Sequence, residues 1–487
     1  MRAAVVTAAN RSARRPIEWP VLAVLLVGTA NFSWQLGSSS LYIDESLAWH
    51  PAMLSFHGLY QSVHDGEISP PGYYALLHEW IYRLSSQQEW VMRIPSVLAG
   101  LGLVAAVYWL ATLVADRRTA VLASLGAAIS PLVLAFAQEA RAYVFTMLFV
   151  TVATAGLLEG RRRPRGRVRV LWLLTAGTAT IAAFWTHYTA DLVLVPLLAW
   201  FAWRPGISKQ GRLTLPLLSL AADLPLAPLL RYQLSQGHED GIAGSANLGL
   251  GHVLRTLATP FDGRFDAVTV QSALGSAIVG FTLTAIATGL RGRGSRLLRE
   301  VVVPGALIPL LAVYAVTIFA KPVLLTRYTA VAAPFLLILI AFVIVHGARW
   351  LAILIGAGAL AAALWGTALT HSRSGFSADL RGAMGHIAHD RAPSDFIFVS
   401  GYPAAGTLDY SRTPGLAAAS IIYPDRATTL LPAIIRRHGR LWLLSSGNQT
   451  VKLRDVQQAL TPLRYRTTEL NQYPGTPELT LVLAVPR

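Results

Sequence analysis

A bundle of about eleven transmembrane helices with a small C-terminal α/β domain is the fold this sequence predicts, and three observations predict it. Of 487 residues, 54% are hydrophobic and only 14% charged, where a soluble domain carries roughly 25% charged residues. The apolar residues arrive in runs close to the ~20 residues that cross the hydrocarbon core as a helix. After residue 371 those runs stop, and short helix-like and strand-like stretches alternate instead. A disordered chain and an ordinary soluble enzyme are thereby excluded. The net charge of +16 does not indicate nucleic acid, because the basic clusters lie between apolar runs, where they set membrane topology. There is no cysteine, so no disulfide and no thiolate metal site.

The spans are read at 19–37, 94–115, 120–136, 142–159, 170–187, 188–203, 213–231, 270–290, 301–320, 329–347 and 350–370. The third and sixth are short. The first is no cleavable signal peptide, since its apolar run is long and no A-x-A-like site precedes Leu41. With the N-terminus inside, the inner segments hold 20 Lys and Arg, against seven in the outer connections with the tail set aside. The densest cluster, Arg161 to Arg169, then falls inside. Eleven spans place the C-terminus outside; ten or twelve would bring it in.

Residues 1–371 form the membrane domain, with a long external loop at 38–93, and 372–487 form the tail domain. In the tail, 378–390, 425–438 and 451–462 read as helices and Phe396–Ser400, Leu441–Ser445 and Leu479–Val485 as strands, an α/β pattern. Gly401 and Gly406 read as turn glycines, because no Gly-Lys-Ser/Thr follows to make a phosphate loop.

Polar residues gather at the outer ends of the spans. Asp44-Glu45 follows the first helix directly; the pair is either a helix cap or a general base beside a partner. Ser69-Pro70-Pro71-Gly72 forces a turn, after which Tyr73 and Tyr74 start a helix reaching Tyr82. The two tyrosines are interfacial anchors or part of a site, and His78 reads as structural. The brief turn Gln138-Glu139-Ala140-Arg141-Ala142-Tyr143 sets a carboxylate and a guanidinium above two helices, as a local ion pair or as part of the same site. His187 and Asp191, four apart, would share a helical face and orient one another or ligate a metal. Asp223 lies near the middle of its span, where a charge is costly and marks function, unless it is merely protonated and hydrogen-bonded in the bundle. Lys321-Pro322 and Arg327-Tyr328 put positive charge on the outer side, against the topology bias; guanidinium suits bidentate phosphate binding, and a snorkelling arginine is the alternative.

Taken in order, Asp44-Glu45, Pro70-Pro71-Gly72-Tyr73-Tyr74, Arg93-Ile94-Pro95-Ser96, Gln138-Glu139-Ala140-Arg141-Ala142-Tyr143 and Arg327-Tyr328 resemble the GT-C superfamily of lipid-linked sugar transferases. The likeness is nearest to protein-O-mannosyltransferase-like and aminoarabinose-transferase-like members, particularly bacterial mannosyltransferase-type proteins with a soluble C-terminal domain. It covers about 1–345; the tail matches in placement alone. The resemblance implies a GT-C-type bundle in the cell membrane, with its site and tail domain extracytoplasmic. It implies Asp44 as catalytic base, Glu45 supporting it or a metal, and Glu139 as a second acidic group. Arg327 would contact the donor phosphate, assisted by Arg141, with Tyr328, Tyr73, Tyr74 and His187 completing the substrate-binding set. Many relatives carry a histidine just before the Pro-Pro pair; Ser69 stands there, with His64 nearby but offset, so a metal or acceptor role for that histidine does not carry over. Metal dependence varies across the superfamily, so a divalent cation, Mg or Mn, stays open and no other cofactor is implied.

The expected reaction moves a sugar, mannose before others, from a polyprenyl-phosphate donor to a hydroxyl of a glycan, glycolipid or protein acceptor. Arabinosyl or other pentosyl transfer is the alternative within the class. A transporter or flippase of a lipid-linked sugar is the rival outside it, but such proteins place charges at the bilayer midplane and in repeats. Here most unusual charges lie at one face. A non-catalytic scaffold presenting the tail is the third reading. The leaving phosphate is weakly basic and needs positive charge more than a proton. A carboxylate takes the acceptor proton, and inversion follows from a single displacement.

Overall fold

The structure is a computed structural model that describes residues 19–41, 43–66, 69–84, 88–164, 166–203, 217, 221–235, 257–261, 270–288, 296–319, 326–372, 379–400, 416, 420–422, 440–446, 465–473 and 479–486. Its membrane part is helical throughout. Helix α1 (Trp19–Ser33) leads into three short helices, α2 (Ile43–Ala52), α3 (Phe56–Gly66) and α4 (Gly72–Leu84), which make up the long loop that the sequence reading places outside. Then follow α5 (Glu89–Val114), α6 (Arg117–Ile129), α7 (Pro131–Ala137), α8 (Tyr143–Arg162), α9 (Arg167–Thr186) and α10 (Asp191–Ala202). The remaining membrane helices are α11 (Ala227–Ser235), α12 (Val270–Thr288), α13 (Val303–Phe319), the single turn α14 (Thr326–Thr329), α15 (Ala333–His346) and α16 (Arg349–His371).

Ten of the eleven predicted spans thus coincide with apolar helices. Among the described residues six helices are long and apolar enough to cross, and a seventh span is the pair α6–α7, bent by 56°. The bend has a local cause. Pro131 has no N–H to continue the α6 ladder, and Ser130 in extended conformation caps α7 instead. The third predicted span is therefore a broken one. The predicted span 213–231 falls largely outside the described residues. Its visible end is not a continuous helix: a 3-10 turn at Leu224–Leu226, with its Pro225, precedes α11.

Close packing in the bundle uses small residues, as expected where lipid tails remove the hydrophobic drive between helices. A Cβ on Gly156 would meet Ala176 at 3.1 Å and one on Gly160 would meet Leu173 at 2.9 Å, which seats α8 against α9. Outward-facing Leu171, Leu174, Leu311, Leu360, Leu364 and Trp365 present apolar surface to lipid. On the face opposite the external loop, Asp116 caps α6 through Arg118 and Thr119 and bonds His346 at the end of α15. The cluster Arg161 to Arg169 lies at that same end of the bundle, between α8 and α9.

The tail domain carries α17 (Leu380–Asp390) and a five-stranded sheet of β1 (Phe396–Ser400), β2 (Ser420–Ile422), β3 (Leu441–Ser446), β4 (Tyr465–Tyr473) and β5 (Leu479–Pro486). The order is β2-β1-β3-β5-β4, with β1 parallel to both β2 and β3 and the remaining pairs antiparallel. Leu380, Ala383, Met384 and Ile387 of α17 close a core against Ile397, Val399, Trp442, Leu444 and Leu481. Asp395 accepts from Arg440 Nε at 3.0 Å and Nη2 at 2.7 Å, and from Trp442 Nε1 at 2.9 Å. The predicted strands are present and the helix predicted at 378–390 is α17. Gly401, Gly406 and the helices predicted at 425–438 and 451–462 lie outside the described residues.

Candidate active site

The connection from α1 to α2 is short and winds around one side chain. Arg93, in the first turns of α5, is 1% exposed and uses all five of its N–H donors. Its Nη1 donates to the Leu36 carbonyl at 2.8 Å and the Ser39 carbonyl at 3.2 Å, and Nη2 to the Ser40 carbonyl at 3.1 Å. Nε and Nη2 grip both carboxylate oxygens of Glu45 at 2.8 and 2.7 Å. Glu45 also accepts the Ala140 N–H at 2.9 Å. A bidentate pair satisfied in this way is the form in which a buried charge is tolerated. Glu45 is fully buried, so with Arg93 it anchors the start of α2, next to Asp44. The same bond fixes the turn that carries Glu139 and Arg141.

Asp44 precedes Glu45 on α2 and turns the other way. Its Oδ2 lies 2.5 Å from Arg327 Nη1, across 283 positions of sequence. The two side chains are 14% and 30% exposed, so the pair opens to solvent. Arg327 stands in α14, just before α15, and lies over the Tyr328 ring at 5.8 Å. Arg141 reaches the Tyr74 hydroxyl at 3.4 Å and stands 5.8 Å from the Tyr143 ring. Tyr143 itself lies within electrostatic reach of Asp44, Glu139, Arg141 and Arg327, which ties the acidic and cationic groups to one place. Glu139 is 3% exposed.

Gly72 explains how the Pro-Pro-Gly turn delivers its tyrosines. A Cβ at this position would stand 2.4 Å from the Trp185 carbonyl oxygen, so α4 begins pressed against the end of α9. Tyr73 and Tyr74 are then buried between the loop and the bundle. Tyr73 packs on Phe145 and lies beside Arg141, Glu45 and Glu139; burial pushes its phenol well above the usual range, with the Arg141 charge opposing.

His187 sits between α9 and α10 with an extended backbone, φ −162°. The four-residue spacing to Asp191 therefore does not run along a helix, and the expected His187–Asp191 pair is not formed. Instead His187 Nδ1 accepts the Thr189 N–H at 3.2 Å. The neutral ring then carries its proton on Nε2. Burial, then the charges of Arg141 and Arg327, lower its pKa from the ordinary 6.5 to about 3. The ring faces Tyr143 at 5.3 Å and Tyr328 at 6.1 Å. Asp191 feels the charge of Asp223 instead, and Asp223 lies where the helix gives way to the 3-10 turn before Pro225, not in the middle of a straight span. His78 is structural, bonded to the Ala52 carbonyl at 2.8 Å. Lys321 and Pro322 lie outside the described residues.

The structure therefore gathers Asp44, Glu139, Arg141, Arg327, Tyr143, Tyr73, Tyr74, Tyr328 and His187 at the face of the external loop. Arg93, which the sequence reading names only within the Arg93-Ile94-Pro95-Ser96 motif and gives no role, is the residue that builds the site. An arginine four residues into a long apolar helix was the available signal. Among the described residues no three or more His, Asp and Glu side chains are grouped to hold a metal ion. Asp44 faces a guanidinium and Glu45 is bound by another, and no step is assigned to a divalent cation.

Residues 69–230, about a third of the chain, match the model of a family described as dolichyl-phosphate-mannose-protein mannosyltransferase. No curated protein matches the chain in sequence. In structure the chain is similar to ArnT from Cupriavidus metallidurans bound to undecaprenyl phosphate, with 15% identity, TM-score 0.57, and 96% of this chain and 98% of that one covered. It is similar to the apo state of the same protein, with 14% identity, TM-score 0.58 and coverage of 95% and 97%. It also resembles the archaeal oligosaccharyltransferase AglB from Archaeoglobus fulgidus in complex with an inhibitory peptide and a dolichol-phosphate, with 12% identity, TM-score 0.51 and coverage of 88% and 69%. The fold is of the GT-C type, as the motifs implied.

Proposed function

We propose that this GT-C-type membrane protein is a glycosyltransferase that moves a sugar from a polyprenyl-phosphate donor to a hydroxyl of a glycan, lipid or protein acceptor. The observation that carries the reading is the direct contact of Asp44 with Arg327, both partly exposed, with Glu139 and Arg141 in reach of the same tyrosine. The neighbours in complex with lipid phosphates, and the description of the matching family, support the donor class and put mannose first among sugars. The clustering of Lys and Arg at the opposite end of the bundle supports an extracytoplasmic site.

The pairing of Asp44 with Arg327 gives the donor a role in switching the site on. Alone, the guanidinium holds the carboxylate in an ion pair. A donor phosphate is a stronger bidentate partner for guanidinium, and Arg327, with Arg141, turns to it. Asp44 is released as the acceptor hydroxyl arrives. The acceptor oxygen then forms its bond to the anomeric carbon from the side opposite the phosphate, and the bond from that carbon to the phosphate oxygen breaks. The hydroxyl proton goes to Asp44, and the electron pair leaves on the polyprenyl phosphate, stabilised by the two arginines. The configuration inverts. General-base assistance of this kind is worth ~10²–10⁴-fold. Neutral His187, with its proton on Nε2, is a hydrogen-bond donor beside Tyr143 and Tyr328. Tyr73 and Tyr74 are buried beneath the site.

The test is a panel of radiolabelled polyprenyl-phosphate sugars (mannose, arabinose, glucose, galactosamine) incubated with the purified protein and an envelope extract. Label leaving the mannosyl lipid for an acceptor is the expected result. Transport of intact lipid-linked sugar across a vesicle, with no label transfer, would replace the enzyme by a flippase.

A further inference from the structure

The tail domain touches the membrane domain at one place that matters for the site. Asp379 caps α17 by accepting the Gly382 N–H at 2.9 Å. The same carboxylate accepts the Ser40 hydroxyl at 3.2 Å, and Ser40 Oγ in turn accepts the Arg381 N–H at 3.0 Å. The Arg381 side chain donates to the Gly37 carbonyl at 3.1 Å and pairs with Glu89, its Nε 3.1 Å from Glu89 Oε1. Glu89 opens α5, one turn before Arg93. Ser40 is 4% exposed, and its carbonyl is one of the groups held by Arg93. The first turn of α17 thus grips segment 37–40 from outside, and Arg93 grips it from inside. Three residues beyond Leu41 that segment delivers Asp44.

We propose that the tail domain is a positioning element of the active site. Through Ser40, Asp379 and Arg381 it clamps segment 37–40, and so fixes where Asp44 meets Arg327. Arg381 and Ser40 are positioning residues, since both act on Asp44 through segment 37–40. The inference rests on the proposed transferase reading for its kinetic consequence, while the clamp itself is a structural statement. A bonded loop held from both sides loses its alternative conformations, and a reacting group misplaced by about 1 Å costs as much as ~10²-fold in rate. Two contacts that act through one segment are also coupled, so their removals do not add.

The experiment uses the full-length protein as Ser40→Ala, Arg381→Ala and the double variant. It measures kcat and KM for donor and acceptor, together with amide hydrogen exchange over residues 36–45. Ser40→Ala leaves the Ser40 carbonyl and its Arg93 bond in place and is a small change in a buried site. Each single variant is expected to lower kcat about tenfold, with both KM values within about twofold. Exchange over 36–45 is expected to quicken, and the double variant to fall no further than about the worse single. A rise confined to the acceptor KM, with kcat unchanged, would overturn the proposal and make the domain an acceptor-recognition module. Unchanged exchange over 36–45 would overturn it as well. Wild-type protein that transfers no sugar would refute the transferase reading, while faster exchange in the variants would still uphold the clamp.

Discussion

Replacing Arg93 by methionine keeps the length of the side chain and removes its charge and its five donors. The structure says what is left behind. The Glu45 carboxylate, fully buried, loses both guanidinium bonds and keeps the Ala140 N–H among its described partners. The carbonyls of Leu36, Ser39 and Ser40 lose their shared donor. Stranding one member of a buried ion pair costs ~3–5 kcal/mol. An orphaned buried carbonyl costs ~1–3 kcal/mol, and loop carbonyls recover part of that from water. About 4 kcal/mol of destabilisation is therefore expected, which is nearly a thousandfold in an equilibrium constant. The assay is equilibrium unfolding in mixed micelles with rising denaturing detergent, run on Arg93→Met, Glu45→Leu and the double variant. The double variant strands no charge and should recover most of the loss, while transfer activity stays low because Asp44 and the 138–141 turn are no longer tied together. An Arg93→Met protein within ~1 kcal/mol of wild type, with no coupling to Glu45→Leu, would show that the pair does not organise the site.

Two further outcomes follow from the same geometry. Arg327→Ala is expected to weaken donor use by about 10²-fold or more in kcat/KM, the size of loss seen when one preorganised charge-stabilising group is removed, measured by titrating the lipid donor; unchanged affinity and rate would remove the phosphate role. His187 is neutral when folded, with its pKa near 3, against an ordinary 6.5 when exposed. The unfolded chain therefore binds the proton more readily between those values, and this residue draws stability down as pH falls below about 6.5, by as much as ~1.4 kcal/mol per pH unit. His187→Gln should flatten the decline between pH 6.5 and 5 in the same unfolding assay; an unaltered slope would show that the ring is not held neutral.

The helices were legible because each apolar run is long enough to need no tertiary information. The break inside 120–136 was not, since Ser130-Pro131 sits within a run that stays apolar on both sides. In the tail, β1, β3 and β5 announce themselves as apolar runs. Strand β4 reads YRTTELNQY, mostly exposed at a sheet edge, and β2 is three residues long, so neither carries a pattern of its own. Asp44, Glu139, Arg141 and Arg327 were legible as charges placed where helices end. Their convergence was not, because the Asp44–Arg327 contact spans 283 positions. The role of Arg93 was not legible from its motif: its partner Glu45 lies 48 positions earlier in another element, and an isolated arginine near a helix start looks like an ordinary interfacial anchor. The His187–Asp191 spacing misled because a helical face was assumed across a junction where the backbone is extended.

The central claim, that Asp44 is the base of a sugar transfer, is met most directly by one comparison. Purified Asp44→Asn protein is assayed for turnover of the labelled donor and, separately, for binding of the donor lipid. The account predicts turnover reduced by about 10²-fold or more with donor binding retained, since Asn fills the same space and Arg327 stays to hold the phosphate. Turnover near that of wild type would contradict it.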